Sequence, residues 1–223
     1  MTAEPTPVGQ HLQAAAAELR ARAAKADAAR PPRPDLVGDL AAQRAEGLAA
    51  LRAASWAGVV PRRFQAARVT DFAGGVAAKL AAWSAEPDRN LVLLGPVGTG
   101  KTHAAVAACY EPHLRGLAVA VHPVVELLDL LRPGGPEGAW EHLVAVDVLV
   151  LDDLGTERAT DWTGERLGAV VNRRWLEERP IVATTNLEPE ALEEAVGPRT
   201  YSRLVGGALG LTLGGNDRRR ARA

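Results

Sequence analysis

Cysteine is almost missing from this chain: Cys109 stands alone, so no disulfide can close within it. No cluster of cysteine and histidine has the spacing of a zinc site either. Lysine occurs only at positions 25, 79 and 101, and arginine carries nearly all the positive charge. The formal net charge of −1 excludes a global pull toward nucleic acid or an anionic membrane, so any contact with a polyanion has to come from a local patch. No apolar run approaches the ~20 residues of a membrane-spanning helix, and the N-terminus lacks a charged-then-apolar leader. The expectation is a cytoplasmic protein without membrane contact. Hydrophobic content of 47% excludes disorder throughout, and 223 residues allow one full α/β domain with a modest extension.

What is present centres on Lys101. It belongs to Gly95-Pro96-Val97-Gly98-Thr99-Gly100-Lys101-Thr102, which fits the phosphate-loop pattern G-x-x-x-x-G-K-[ST] without a mismatch. The context fits too: NLVLL before it reads as a buried strand, and HAAVAACY after it, starting at His103, reads as a helix. Glycines let backbone N–H groups wrap a triphosphate, and the helix N-terminus favours the negative charge. Residues 95–103 are therefore the candidate nucleotide-binding segment, with Lys101 on the β- and γ-phosphates and the Thr102 hydroxyl on Mg²⁺.

A second signal is VDVLVL followed by Asp152-Asp153. A continuous run of valine and leucine reads as a buried parallel strand, and carboxylates at its C-terminal end fall in the crevice where open α/β sheets bind ligands. Asp152 is placed to hold Mg²⁺ and Asp153 to polarise an attacking water; the alternative is that both merely cap the next helix. PIVATT is another buried strand, ending in Asn186, which is either a holder of that water or a turn residue. Arg199 and Arg203 sit four apart, hence on one helical face, suited to a neighbouring subunit's nucleotide or simply to solvent. For single-stranded DNA the sequence offers His122, Arg132, a Gly/Pro-rich loop over 133–138 and Trp140, a mix of phosphate neutraliser and stacking ring; the alternative for Trp140 is core packing.

Ahead of the loop, residues 10–29 and 35–54 have helical propensity with thin apolar stripes, separated by Pro31-Pro32-Arg33-Pro34. They are read as a helical arm over 1–57, either docking a partner or packing on the domain over 58–223. Residues 56–72 read as a connector, and Glu111-Pro112 is expected to end the helix after the phosphate loop.

GPVGTGKT, VLVLDDLG, ATTN, RTYSRL and the closing GGNDRR, in that order, resemble the AAA+ ATPases of the DnaC/DnaI helicase-loader and IstB transposition-helper family, over roughly 59–219. The resemblance implies an α/β fold, a parallel five-stranded P-loop sheet between helices, without a separate C-terminal lid domain. It implies ATP and Mg²⁺ as cofactors, Asn186 as sensor 1, Arg203 as the arginine finger with Arg199 beside it, and an ATP-dependent homo-oligomer. The function it implies is loading a replicative helicase, held by the N-terminal arm, onto single-stranded DNA. The alternative is a transposition helper that binds duplex DNA and recruits a transposase. Two departures stand out: Asp153 replaces the glutamate many AAA+ enzymes carry there, implying slow turnover, and the arm has no zinc-binding cysteines.

Overall fold

The computed structural model describes Glu18, Lys25 and residues 36–156 and 160–215. Apart from Glu18 and Lys25, the expected helix over 10–29 lies outside those residues, as do the break at 31–34 and residues 216–219 of the closing GGNDRR. The chain divides into two compact units, Met1–Glu46 and Gly47–Ala223.

In the larger unit five strands form one parallel sheet: β1 (Leu91–Leu94), β2 (Val119–Pro123), β3 (Val148–Asp152), β4 (Ile181–Thr185) and β5 (Leu209–Thr212). Their order is β2-β3-β4-β1-β5. Parallel neighbours need crossovers, and helices supply them. These are α3 (Lys101–Leu114), α4 (Val124–Leu130), α5 (Ala139–Ala145), α6 (Asp161–Leu176), α7 (Pro189–Val196) and α8 (Pro198–Val205), preceded by α1 (Leu36–Val59) and α2 (Gly74–Ala85).

Period-two alternation sends strand side chains to two separate cores. Val148 and Val150 join Trp56, Leu80, Trp83 and the alanines of α3 on one face. Leu149 and Leu151 join Leu127, Leu143, Leu167 and Val170 on the other. Covered on both faces, the central strands can be as uniformly apolar as their sequences are.

Two elements differ from the sequence reading, and a short helix precedes β3. Helix α1 runs on to Val59, through the start of the expected connector, because Trp56 is 2% exposed and packs edge-on against Tyr110 of α3. Helix α3 continues past Glu111-Pro112 to Leu114: Pro112 is buried in the last turn, where its missing N–H forgoes one bond while its carbonyl still accepts from Leu117. Ahead of β3 stands α5, whose last turn is anchored by Arg174. That side chain is fully buried on α6 and donates to the carbonyls of Leu143, Val146, Asp147 and Pro180 at 2.8–3.1 Å. Burial pushes its pKa down to about 10, so it stays cationic at neutral pH.

Candidate functional site

The register places the site. Leu94 is level with Thr185, so Gly95 and Asn186 leave adjacent strands side by side at the C-terminal edge of the sheet. Leu151 is level with Ala183, which sets Asp152 beside Thr184. The phosphate loop, Asp152, Asp153 and Asn186 are thereby brought to one edge from three neighbouring strands.

The loop itself is held by its own backbone. Gly95 has φ of 139°, and a Cβ there would sit 2.1 Å from the Leu213 carbonyl oxygen, so only glycine fits. The Thr99 hydroxyl donates to Pro96 O at 2.9 Å. Lys101, buried at the start of α3, donates to Gly95 O at 2.8 Å and Pro96 O at 2.9 Å, which curls the loop around its ammonium. Gly100 caps a helix of 14 residues, whose unpaired N–H groups and dipole favour an anion at this end.

Asp152 ends β3 almost fully buried. Its Oδ1 accepts from the Thr184 hydroxyl at 2.7 Å, and the same hydroxyl accepts from the backbone N–H of Asp153 at 2.9 Å. Burial raises the Asp152 pKa; hydrogen bonding from Thr184 and from Thr102 pulls it back, Asp153 raises it and Lys101 lowers it. A carboxylate pressed against the hydroxyl that follows the loop lysine is a ready pair of ligands for a hard divalent cation. Asp153 is exposed and has φ of 57°, a conformation costly for a residue with a side chain, and its neighbour's hydroxyl secures it. Asn186 is exposed next to the buried Thr185, whose hydroxyl donates to Leu154 O at 2.8 Å and accepts from Leu187 N at 3.1 Å.

His103 pairs through Nε2 with Asp71 Oδ2 at 2.6 Å and packs among Phe64 and Phe72, so the connector clasps the start of α3. A backbone bond from Arg68, then the His103 bond, holds Asp71 below the usual carboxylate range.

Arg203 is not brought to the loop, and Arg199 is exposed one turn earlier on the same helix. Both lie on α8, whose end is tied by Asn90 Nδ2 donating to Arg203 O and Leu204 O, each at 3.0 Å, while Asn90 Oδ1 accepts from Ile181 N at 2.8 Å. Asn90 precedes β1, and the strand from there to Gly95 spans about 16 Å at ~3.3 Å per residue, further than an arginine side chain extends.

Arg132 and Trp140 go to different surroundings. Arg132 is exposed, pairs with Asp129 at 2.8 Å and lies 5.6 Å from the ring of Trp162, not Trp140. Trp140 is half-buried against the second core. Burial and then His142 push the His122 pKa down, against Glu126, leaving it uncharged at neutral pH.

The sequence reading did not single out Thr184, Asn90 or Arg174. The signals were there: two threonines in an otherwise apolar buried strand, a polar residue opening another, and an arginine on the stripe shared by Leu167, Val170 and Val171.

The model of the IstB-like ATP binding protein family matches residues 68–202. That span carries the loop, Asp152, Asp153 and Asn186. The chain belongs to this family. Among similar proteins, XkdC of the phage-like element PBSX in Bacillus subtilis is 36% identical over 129 residues, 50% of this chain and 46% of that one. The replicative helicase loader DnaC of Escherichia coli is 31% identical over 121 residues, 52% and 49% of the two chains. A putative ATP-binding protein of insertion sequence IS5376 in Geobacillus stearothermophilus is 32% identical over 112 residues, 48% and 44%. This chain thus spans about half the length of the curated relatives it matches. The crystal structure of DnaI superimposes with a TM-score of 0.62 at 24% identity, covering 71% of this chain and 94% of that one. The DnaC helicase loader gives 0.62 at 21%, covering 69% and 100%. At those identities the likeness shows the fold, a parallel five-stranded sheet between helices, and the family is one of ATP-binding proteins. Among the described residues, no helix is long and apolar enough to cross a membrane.

Proposed function

We propose that this protein hydrolyses ATP in order to place a replicative helicase on single-stranded DNA. The observation that carries the reading is the division of the candidate groups between two edges of the sheet. Lys101, Thr102, Asp152, Asp153 and Asn186 gather at the C-terminal edge, while Arg203 leaves from the opposite one, as suits a site completed by a second copy of the chain. In this reading the loop backbone and Lys101 hold the phosphates, and Thr102 with Asp152 holds Mg²⁺, which when bound neutralises charge on the phosphate oxygens. Asp153 accepts the proton of the attacking water, and Asn186 orients that water. Arg203, with Arg199 beside it, reaches the neighbour's γ-phosphate and stabilises the charge of the transition state. The arm ahead of residue 58 docks the helicase, and Arg132, exposed beside Trp162, contacts the strand.

The family match and the insertion-sequence relative favour a second reading, a transposition helper acting on duplex DNA. One experiment separates the two. The full chain with ATP is offered a replicative helicase, a transposase, and single- and double-stranded oligonucleotides of equal length, and compared with a chain lacking residues 1–46. Helicase capture that needs residues 1–46, together with a preference for the single strand, supports the loader. Transposase capture with a preference for duplex, and no helicase retained, replaces it with the helper.

A further inference from the structure

We propose that Trp175 is a positioning residue for Arg203, holding its guanidinium in the orientation offered to the nucleotide of a second copy of this chain. The inference rests on the trans-acting reading of Arg203 given above. Trp175 lies in the last turn of α6 and is 53% exposed, although large aromatics are usually well buried. Core packing does not account for it, since α6 buries Leu167, Val170, Val171 and Arg174 instead. What the ring touches is Arg203, whose Cζ lies 5.1 Å from its centroid, inside the range of a cation–π contact.

The neighbouring geometry is built for that contact. A Cβ on Gly168 would come within 3.1 Å of Thr200 Oγ1, so glycine lets α8 press against α6 at this point. Seven residues along α6, two turns on the same face, stands Trp175; three residues along α8, one turn on, stands Arg203. The helix contact set at Gly168 therefore carries the ring to the guanidinium. From the other side, Asn90 fixes the Arg203 carbonyl to the strand pair β1 and β4 that carries the phosphate loop and Asn186. Backbone and side chain of one arginine are thus both held, while Arg199, four residues earlier, is exposed.

The chemistry suits an arginine acting on phosphate. A ring engages the planar face of a guanidinium and leaves its N–H edge for phosphate oxygens, in the fork geometry those oxygens accept. An arginine already restrained also loses less rotamer freedom when it docks.

The test uses the full chain with ATP and Mg²⁺, at concentrations where turnover per subunit no longer rises. Trp175→Ala should lower kcat about three- to tenfold with the KM for ATP unchanged, since the ATP is held by the other copy's loop. Trp175→Phe should recover most of that loss. Arg203→Ala should cost about 10³-fold, and adding Trp175→Ala to it should cost nothing more. Mixing Trp175→Ala with Lys101→Ala chains, whose Arg203 is intact, should restore turnover at the intact loops. A Trp175→Ala effect that persists in the Arg203→Ala background, or a wild-type kcat in Trp175→Ala, overturns the inference while an impaired, mixing-rescued Arg203→Ala keeps the trans reading. Wild-type turnover in Arg203→Ala overturns both.

Discussion

Thr184→Val removes one hydroxyl and almost no volume, yet that hydroxyl serves two partners. It donates to Asp152 Oδ1 at 2.7 Å and accepts from the Asp153 N–H at 2.9 Å, with no exposure of Thr184 to solvent. Each buried group left without its partner costs about 1–3 kcal/mol. Relaxation of Asp153 out of its positive φ offsets part of this, as such strain amounts to roughly 1–3 kcal/mol. The net expectation is a loss of about 2–4 kcal/mol, or roughly 5–15 °C in Tm for a domain of this size. There is a second, electrical consequence. The Thr184 bond lowers the Asp152 pKa against the effect of burial, so its loss moves that pKa further up. The acid limb of Mg²⁺-dependent nucleotide binding should then shift to higher pH. Thr184→Ser, which keeps the hydroxyl, should show the wild-type limb and only the small cost of a lost methyl group. Urea melts and nucleotide titrations from pH 5 to 8 measure both effects. A valine variant that melts and titrates like wild type would refute the claim that this hydroxyl organises the two aspartates.

Asp152→Asn tests the cost of burying that carboxylate. Because burial raises its folded pKa above 3.8, the folded chain binds this proton more tightly than the unfolded one, and stability falls as pH rises through the window from 3.8 to the raised value. The amide should therefore melt above wild type at neutral pH without nucleotide, lose that advantage on acidification toward pH 4, and bind Mg²⁺-nucleotide poorly; an unchanged neutral-pH Tm would contradict this. Gly95→Ala drives a Cβ to 2.1 Å from the Leu213 carbonyl, and a loss of more than about 3 kcal/mol in urea unfolding is expected. A chain starting at Gly47 should melt like the full-length domain, whereas one starting at residue 58 loses Trp56 and the Arg52 bond to Leu114 O at 3.0 Å, and should drop by about 3–5 kcal/mol. Equal melting curves for the two truncations would show that the end of α1 adds nothing to the core.

The fold was legible because its strands carry their burial in plain sight. LVLL, VLVL and IVATT are too uniformly apolar for anything but a two-sided core, and GPVGTGKT marks the first of them as the strand that opens into a phosphate loop and its helix. The aspartates were legible for the same reason, as carboxylates at the end of such a strand. The ends of elements were harder to read. Pro112 argues locally for a helix stop, but packing in the first core outweighs one missing hydrogen bond. Trp56 reads as a connector aromatic until the partner that buries it, Tyr110, is known, and the two are far apart in sequence. Thr184 and Asn90 act through partners on other strands, 32 and 91 residues away for Asp152 and Ile181, so only the sheet order and register disclose what they do. The DNA candidates suffered most: Arg132 and Trp140 are close in sequence, yet the ring beside Arg132 comes from α6.

The claim on which the rest depends is that the loop around Lys101 binds ATP. Calorimetric titration of Mg²⁺-ATP into the wild-type chain and into Lys101→Ala, with matched melting curves for both, tests it most directly. The predicted result is saturable binding by wild type and at least a hundredfold weaker binding by the variant, since Lys101 is the one side chain of the loop that brings a positive charge to the phosphates. A folded Lys101→Ala chain that binds ATP as tightly as wild type would contradict it.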